Sequence, residues 1–164
     1  CLMTAQIANG GYKIYPKIVL KKYDQDVKED KFQPLIKDFK NIKIVQEAMF
    51  SSTNEVRGTS YRSRIDDPKY QFAGKTGTAQ VKRITEEARE LDLKTSQIPY
   101  EERDHALYVA FGPYKNPRYA VSVFVEHGGS GSSTAAPIAK KLFKLIIDRH
   151  ELREKARKED LVGA

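Results

Sequence analysis

The chain has 164 residues, which is enough for one domain of common size. Hydrophobic residues make up 40% of it and charged residues 31%, a balance that argues against disorder of the whole chain. The net charge of +7 arises from Lys and Arg interspersed with Asp and Glu, whereas a nucleic-acid-binding module clusters its basic residues, so the composition argues against nucleic acid as a partner.

The first segment has the pattern of a helix that ends early. Leu2, Met3, Ile7 and Ala8 form a short apolar stripe, and Gly10-Gly11 follows where a helix C-terminus needs a positive φ. Because the chain begins at Cys1 inside this pattern, we expect a piece of a longer polypeptide. Any export signal or membrane anchor would then lie in preceding sequence.

Two short extended pieces and a second helix are predicted next. Residues 12–15 alternate, Pro16 interrupts them, and residues 18–20 form a short extended run. A polar loop spans residues 24–38. Apolar residues then recur at helical spacing, with Asp38 as the expected N-cap and an end near Asn54; the stripe consists of Ile42, Val45, Ala48 and Met49.

The second half predicts a sheet with a long helix. Residues 70–81 read as a strand, and residues 85–91 as a short helix with acids in its first turn. Residues 105–111 and 119–125 predict an antiparallel hairpin. A helix from about Thr134 should bury Ile138, Leu142, Leu145 and Ile146, and residues 151–164 should form an exposed, fraying helical tail. The order of elements predicts an α+β fold, an antiparallel sheet packed by helices.

Nothing in the sequence indicates a metal or cofactor. Cys1 is the only cysteine, and the three histidines, His105, His127 and His150, are far apart in the chain and lack ligand spacing. We therefore expect ordinary histidines and no cofactor.

The most informative run is GKTGTAQ, residues 74–80, inside the predicted strand. Thr76 and Thr78 project to one face of a strand, so their hydroxyls can bind one carboxylate together, and Lys75 adds a positive charge nearby. Gly77 lets a ligand backbone approach closely, and the Thr78 N–H can point at a developing oxyanion. Lys-Thr-Gly alone is a weak signal, and an ordinary strand would contain the same residue types.

The resemblance to a known family extends well beyond this tripeptide. Lys-Thr-Gly is one of three signatures of the penicillin-recognising serine acyl-transferases, with Ser-x-x-Lys and Ser-x-Asn. The runs that follow it are similar to the end of a class B penicillin-binding protein: HALYVAFGPY, YAVSVFVEHGGSG and TAAPIAKKLF. The acid-rich insertion after Gln80 resembles the elongation-type enzymes, and CLMTAQIANGG resembles the helix shortly after the second signature. By this resemblance, residues 1–164 of the chain are identified as the C-terminal portion of a single transpeptidase domain. That domain has the serine β-lactamase/penicillin-binding transpeptidase fold.

Two of the three signatures are missing. No lysine has a serine three residues before it. Ser52-Thr53-Asn54 matches the letters of Ser-x-Asn, but in the family that signature precedes the segment resembled by residues 1–11. The resemblance therefore implies that the nucleophilic serine and its lysine base lie upstream, and that this chain alone is inactive.

By resemblance, the complete protein cross-links peptidoglycan stem peptides through an acyl-serine intermediate, and β-lactams acylate the same serine. Lys75, Thr76, Gly77 and Thr78 would bind the substrate, Lys75 would also contact the second-signature serine, and the Thr78 N–H would be an oxyanion donor. Implied partners are the stem peptide, β-lactam antibiotics and proteins of the cell-elongation machinery. The implied location is the periplasmic face of the bacterial inner membrane.

Two other functions stay open. A β-lactamase-type hydrolase would keep the fold, although the basic C-terminal extension and the acid-rich insertion argue against it. A non-catalytic module that holds peptide or a partner protein along its sheet edge is the second. Weaker site candidates are more economically explained as surface or connecting residues: Asn9, Gly10, Glu126, His127, the turn 128–132, and the acids Glu86, Glu87, Glu90 and Asp92.

Overall fold

Three helices and a three-stranded sheet form the framework of the described part of the chain. The computed structural model describes residues 1–19, 21–22, 25–26, 33–82 and 95–162. The elements in chain order are helix α1 (Leu2–Ala8), the two-residue strands β1 (Lys21–Lys22) and β2 (Gln25–Asp26), helix α2 (Phe39–Asn54), strands β3 (Ala73–Ala79), β4 (His105–Gly112) and β5 (Tyr119–Val125), and helix α3 (Ala136–Val162). Helices beside an antiparallel sheet confirm the predicted α+β class.

The sheet has the order β3-β4-β5, and both pairings are antiparallel. The predicted hairpin β4–β5 is confirmed. In the register of β3 on β4, Lys75 lies opposite Val109 and Thr76 opposite Tyr108. Strand β3 is shorter than the predicted 70–81, because the N–H of Tyr70 bonds the carbonyl of Asp67 in a turn before the strand begins.

The ends of the first two helices agree with the sequence. Gly10 and Gly11 both adopt positive φ after α1, at 90° and 94°. The Asp38 side chain accepts a hydrogen bond from the N–H of Lys40 at 2.9 Å, which confirms it as the N-cap of α2. The predicted stripe of α2 is only partly covered, since Met49 is buried but Val45 and Ala48 are exposed.

The buried face of α3 differs from the prediction. Among its residues of described burial, Ala136, Ala139, Phe143 and Ile147 are buried, while Ile138 is 40% exposed and Leu145 is 67% exposed. Small alanines let this face approach the sheet closely, and the Phe143 ring stacks on Phe72 at 4.9 Å. The prediction of a buried stripe of Ile and Leu was wrong because it considered the size of the apolar side chains and not how closely the helix packs on the sheet. Of the four predicted residues, only Leu142 packs against this core.

The two short extended pieces predicted after α1 do not form strands among residues 12–19. Tyr12 forms an isolated bridge to Pro34, the N–H of Lys13 bonds the carbonyl of Gln33 at 2.7 Å, and Ile18 is 98% exposed. Pro16 removes a backbone donor, so the segment lacks one of the bonds that a strand needs. Residue 20 and the predicted helix 85–91, with Glu86, Glu87, Glu90 and Asp92, lie outside the described residues.

At the other end, α3 continues to Val162, and its residues 151–156 are exposed. The extent of the domain and the fraying of the tail stay predictions. Of the helices that the structure describes, none has the length and apolar character needed to cross a bilayer.

Candidate functional site

Strand β3 presents Lys75, Thr76 and Thr78 at the edge of the sheet. Within the described residues β3 pairs only with β4, so its other side is an open edge. Lys75 and Thr78 are exposed, and Thr76 is half-buried. A strand edge of this kind can accept an extended peptide through main-chain hydrogen bonds.

The amine of Lys75 lies close to Thr76. Its Nζ donates to the Thr76 carbonyl at 2.8 Å and to Thr76 Oγ1 at 3.3 Å. One positive charge and one hydroxyl therefore occupy the same small region of the edge, which is the chemistry that a carboxylate ligand requires.

The same contact indicates how the backbone of β3 is oriented. Because the Lys75 amine reaches the Thr76 carbonyl, this carbonyl lies on the accessible side of the strand. Backbone directions repeat every two residues in an antiparallel strand, so the N–H of Thr78 faces the same open side. An N–H on this side can donate to a group that binds along the open edge.

The turn before α3 packs directly on the backbone of β3. A Cβ on Gly131 would lie 2.6 Å from the carbonyl oxygen of Gly77 and 2.5 Å from that of Leu107. Only glycine allows this approach. The sequence favoured a plain connector for residues 128–132, and the structure adds that the turn supports β3 at Gly77.

Beneath the edge, a buried group of three hydroxyls fixes the start of β3. The Tyr108 hydroxyl bonds Thr53 Oγ1 at 2.9 Å and Ser60 Oγ at 3.0 Å, and all three residues are at most 1% exposed. A Cβ on Gly74 would lie 2.3 Å from the Tyr108 oxygen, so the glycine makes room for it. Burial raises the pKa of Tyr108, although its bonds to Ser60 and Thr53 oppose that shift.

Outside the core, two further hydroxyls reach the edge. Thr59 Oγ1 lies 3.3 Å from Thr76 Oγ1, and Ser52 Oγ lies 3.0 Å from Thr59 Oγ1. Sequence reasoning missed both Ser52 and Thr59 as neighbours of the site. The run Gly58-Thr59-Ser60 offered only a weak signal, because the sequence does not reveal which segment folds against β3.

A cavity of about 630 Å³ extends from Lys75 towards α1 and α2. Its walls are mostly apolar, and its lining includes Met3, Ile7, Ile44, Val45 and Met49. Ser52 lines it as well, but Thr53 is buried against Tyr108, and the Asn54 amide donates to the carbonyls of Phe50 and Phe72. Asn54 is therefore engaged in holding the backbone, which agrees with setting Ser52-Thr53-Asn54 aside as a signature.

The weaker candidates differ in their surroundings. Asn9 Oδ1 accepts from the N–H of Gly11 and Tyr12, and so shapes the turn after α1. Glu126 is exposed, as expected for a surface position. His127 is half-buried, with a positive φ of 52°.

His105 and His127 are neighbours in space, although they are far apart in the chain. The backbone N–H of His127 donates to His105 Nδ1 at 3.0 Å, and the centres of the two rings lie 4.8 Å apart. Antiparallel pairing of β4 with β5 brings them together. Over the residues that the structure describes, no group of three or more His, Cys, Asp or Glu side chains has an arrangement suited to a metal ion.

Comparison with known proteins places this geometry in a family. The sequence-family model described as penicillin binding protein transpeptidase domain matches residues 2–144. Among curated proteins, the peptidoglycan D,D-transpeptidase MrdA of Salmonella typhimurium (strain LT2) is 39% identical over 105 residues, which are 64% of this chain and 16% of that protein. The matched part of this chain therefore spans about a sixth of that relative's length.

Two solved structures are similar over most of the chain. Pseudomonas aeruginosa PBP2, solved in complex with WCK 5153, gives a TM-score of 0.67 at 34% identity. The match covers 87% of this chain and 28% of the PBP2 chain. Helicobacter pylori PBP2, solved in complex with MreC, gives a TM-score of 0.69 at 26% identity and covers 90% of this chain and 24% of its own. The chain therefore belongs to the penicillin-binding protein transpeptidase family.

Proposed function

We propose that this chain forms the substrate-binding wall of a peptidoglycan D,D-transpeptidase, in a longer polypeptide that also carries the nucleophile. The observation that carries the proposal is the open edge of β3, where the Lys75 amine lies 3.3 Å from the Thr76 hydroxyl. The family match and the similarity to MrdA support the reaction class.

Each residue of the edge has a role that follows from its chemistry. Lys75 and the hydroxyls of Thr76 and Thr78 bind the terminal carboxylate of the stem peptide, which is an anion with several acceptor sites. Gly77 lets the peptide backbone approach β3. The Thr78 N–H stabilises the negative charge that develops on the scissile carbonyl oxygen.

The covalent step requires groups that this chain does not supply. A serine elsewhere in the polypeptide attacks the penultimate D-alanine carbonyl, the bond to the last D-alanine breaks, and an acyl-serine forms. An amine of a second stem peptide then attacks the acyl group and releases the serine. A β-lactam presents a similar carboxylate beside a reactive carbonyl, so it acylates the same serine.

The proposal extends to location and to partners. Stem peptides lie outside the cytoplasmic membrane, so this wall acts on the periplasmic side of a bacterial inner membrane. Because H. pylori PBP2 forms a complex with MreC, an elongation-type subclass and a partner of that kind fit this chain.

Labelling by a fluorescent penicillin tests the function in the longer polypeptide. We expect Lys75→Ala to slow acylation by about 100-fold or more, because it removes the cation that holds the carboxylate. Lys82→Ala is the matched control: this lysine pairs with Glu102 beyond the end of β3, so its loss should leave labelling unchanged.

The outcomes separate the alternatives. Equal labelling of wild type and Lys75→Ala would remove Lys75 from the site. Rapid release of the penicillin product by water would indicate a β-lactamase-type hydrolase. A longer polypeptide that folds but never labels would instead favour a non-catalytic binding module.

A further inference from the structure

A chain of three hydroxyls leads from α2 to the carboxylate-binding residue Thr76. Ser52 Oγ lies 3.0 Å from Thr59 Oγ1, and Thr59 Oγ1 lies 3.3 Å from Thr76 Oγ1. Lys75 Nζ also approaches Thr76 Oγ1 at 3.3 Å. The Thr76 hydroxyl therefore has two protein partners before any ligand is bound.

Thr59 is held in place from both sides. The N–H of Gly58 bonds the carbonyl of Glu55 at 2.8 Å, and the N–H of Ser60 bonds the carbonyl of Ser52 at 3.0 Å. A Cβ on Gly58 would lie 2.3 Å from the Ser52 carbonyl oxygen, so the turn packs tightly against the end of α2. Although Thr59 is exposed, its backbone has little freedom to move away from Thr76.

Counting donors and acceptors gives the hydrogen-bond chain a direction. A hydroxyl has one proton to donate and two lone pairs that accept. The Lys75 ammonium can only donate, so it occupies one lone pair of Thr76 Oγ1. If Thr59 donates to the second lone pair, the single proton of Thr76 is left for a ligand carboxylate. If Thr59 accepts instead, that proton is consumed within the protein.

We propose that Thr59 is a positioning residue that donates to Thr76 and so directs the Thr76 proton towards the substrate carboxylate, with Ser52 supporting Thr59 from behind. This inference rests on the proposed function, because it assigns the carboxylate to Thr76. It adds a residue outside the β3 strand that controls how tightly a carboxylate-bearing substrate is held.

The test compares Thr59→Val with Thr59→Ser in the longer polypeptide. Valine keeps the shape and removes the hydroxyl, whereas serine keeps the hydroxyl. We expect Thr59→Val to lower the second-order rate constant of acylation by fluorescent penicillin about fivefold, because the Thr76 hydroxyl loses the neutral hydrogen bond that orients its proton, and Thr59→Ser to stay within about twofold of wild type. Thr59→Ala, which removes the same hydroxyl with a smaller side chain, should reproduce the loss.

A second readout distinguishes positioning from general damage. The methyl ester of the same penicillin lacks the carboxylate charge, so its slower acylation should change little in Thr59→Val. The ratio of acid to ester rates should therefore fall. An equal loss for both compounds, or a Thr59→Val variant as reactive as wild type, would overturn the positioning role.

The Lys75→Ala variant keeps the two proposals apart. If Lys75→Ala abolishes labelling while Thr59→Val does not affect it, the site stands and the role of Thr59 is wrong. If neither variant affects labelling, the carboxylate does not bind at this edge, and both proposals fail.

Discussion

The two sides of the Gly58–Ser60 turn use the same chemical group for different purposes. On the inner side, Ser60 joins Thr53 and the Tyr108 hydroxyl in a group that is at most 1% exposed. On the outer side, Thr59 joins Ser52 and Thr76 in contact with solvent. Adjacent residues of one turn thus contribute to the core and to the candidate site.

The difference in solvent exposure determines what each group contributes. A buried hydroxyl that loses its partner keeps its desolvation cost, about 1–3 kcal/mol, so the inner group should govern folding stability. Water replaces a lost partner at the surface, so the outer group should have little effect on stability. Its effect should appear only when a ligand depends on the direction of the Thr76 proton.

The largest expected effect comes from forcing the inner group apart. Gly74→Ala would place a Cβ 2.3 Å from the Tyr108 oxygen, so the ring must move and its two hydrogen bonds must weaken. Alanine favours a strand by about 0.5–1 kcal/mol over glycine, but overpacking and lost bonds outweigh this gain. We expect a net loss of about 3 kcal/mol in the free energy of unfolding, measured by denaturant titration of the complete transpeptidase domain.

Gly77→Ala on the same strand is the matched control for stability. Its Cβ would lie 3.3 Å from the Leu107 Cβ, a contact that a small shift relieves. Should both variants be equally stable, the close packing of Tyr108 over Gly74 would not be what fixes the start of β3.

An intermediate effect should appear at high pH. Burial raises the pKa of Tyr108 above its usual value near 10, so above that pH the unfolded state loses the phenolic proton more readily than the folded state. The folded state then holds more protons, and stability should fall as the pH rises from about 9 to 11. Unfolding free energies measured across this range would check the slope.

Tyr108→Phe supplies the comparison for that slope, because it keeps the ring and removes the ionising group. This variant should be less stable at neutral pH but should lose less stability on going to high pH. Tyr15→Phe, at a site that is 45% exposed, should retain the slope of the wild type. If Tyr108→Phe has the same slope as wild type, the inner group is not the source of the pH dependence.

The smallest effect on stability is expected on the outer side. Ser52→Ala removes the hydroxyl behind Thr59, and we expect the free energy of unfolding to stay within about 0.5 kcal/mol of wild type. Penicillin acylation should fall by less than in Thr59→Val, since Ser52 acts one bond further from the ligand. Ser51→Ala, whose hydroxyl bonds Glu55 rather than Thr59, is the control for acylation.

A clear loss of stability in Ser52→Ala would show that the outer group belongs to the folding core. The contrast between the two sides of the turn would then be one of degree only.

The sequence by itself determined the elements that rest on local chemistry. Asp38 could be identified as an N-cap, Gly10-Gly11 as a helix end, and the β4–β5 hairpin from alternation around a proline-rich turn. GKTGTAQ, with the runs after it, was enough to indicate the family that the domain match then showed. These features are readable because their causes lie within a few neighbouring residues.

Tertiary structure decided which side chains meet. The buried face of helix α3 contains Ala136 and Ala139, whereas Leu145 is exposed. Stability depends on how closely two surfaces fit together, and not on the size of one side chain. His105 meets His127, and Thr59 meets Thr76, across separations of 22 and 17 residues. Such contacts follow from how the sheet pairs and how the turn after α2 folds onto β3, and no local pattern in the sequence specifies that path.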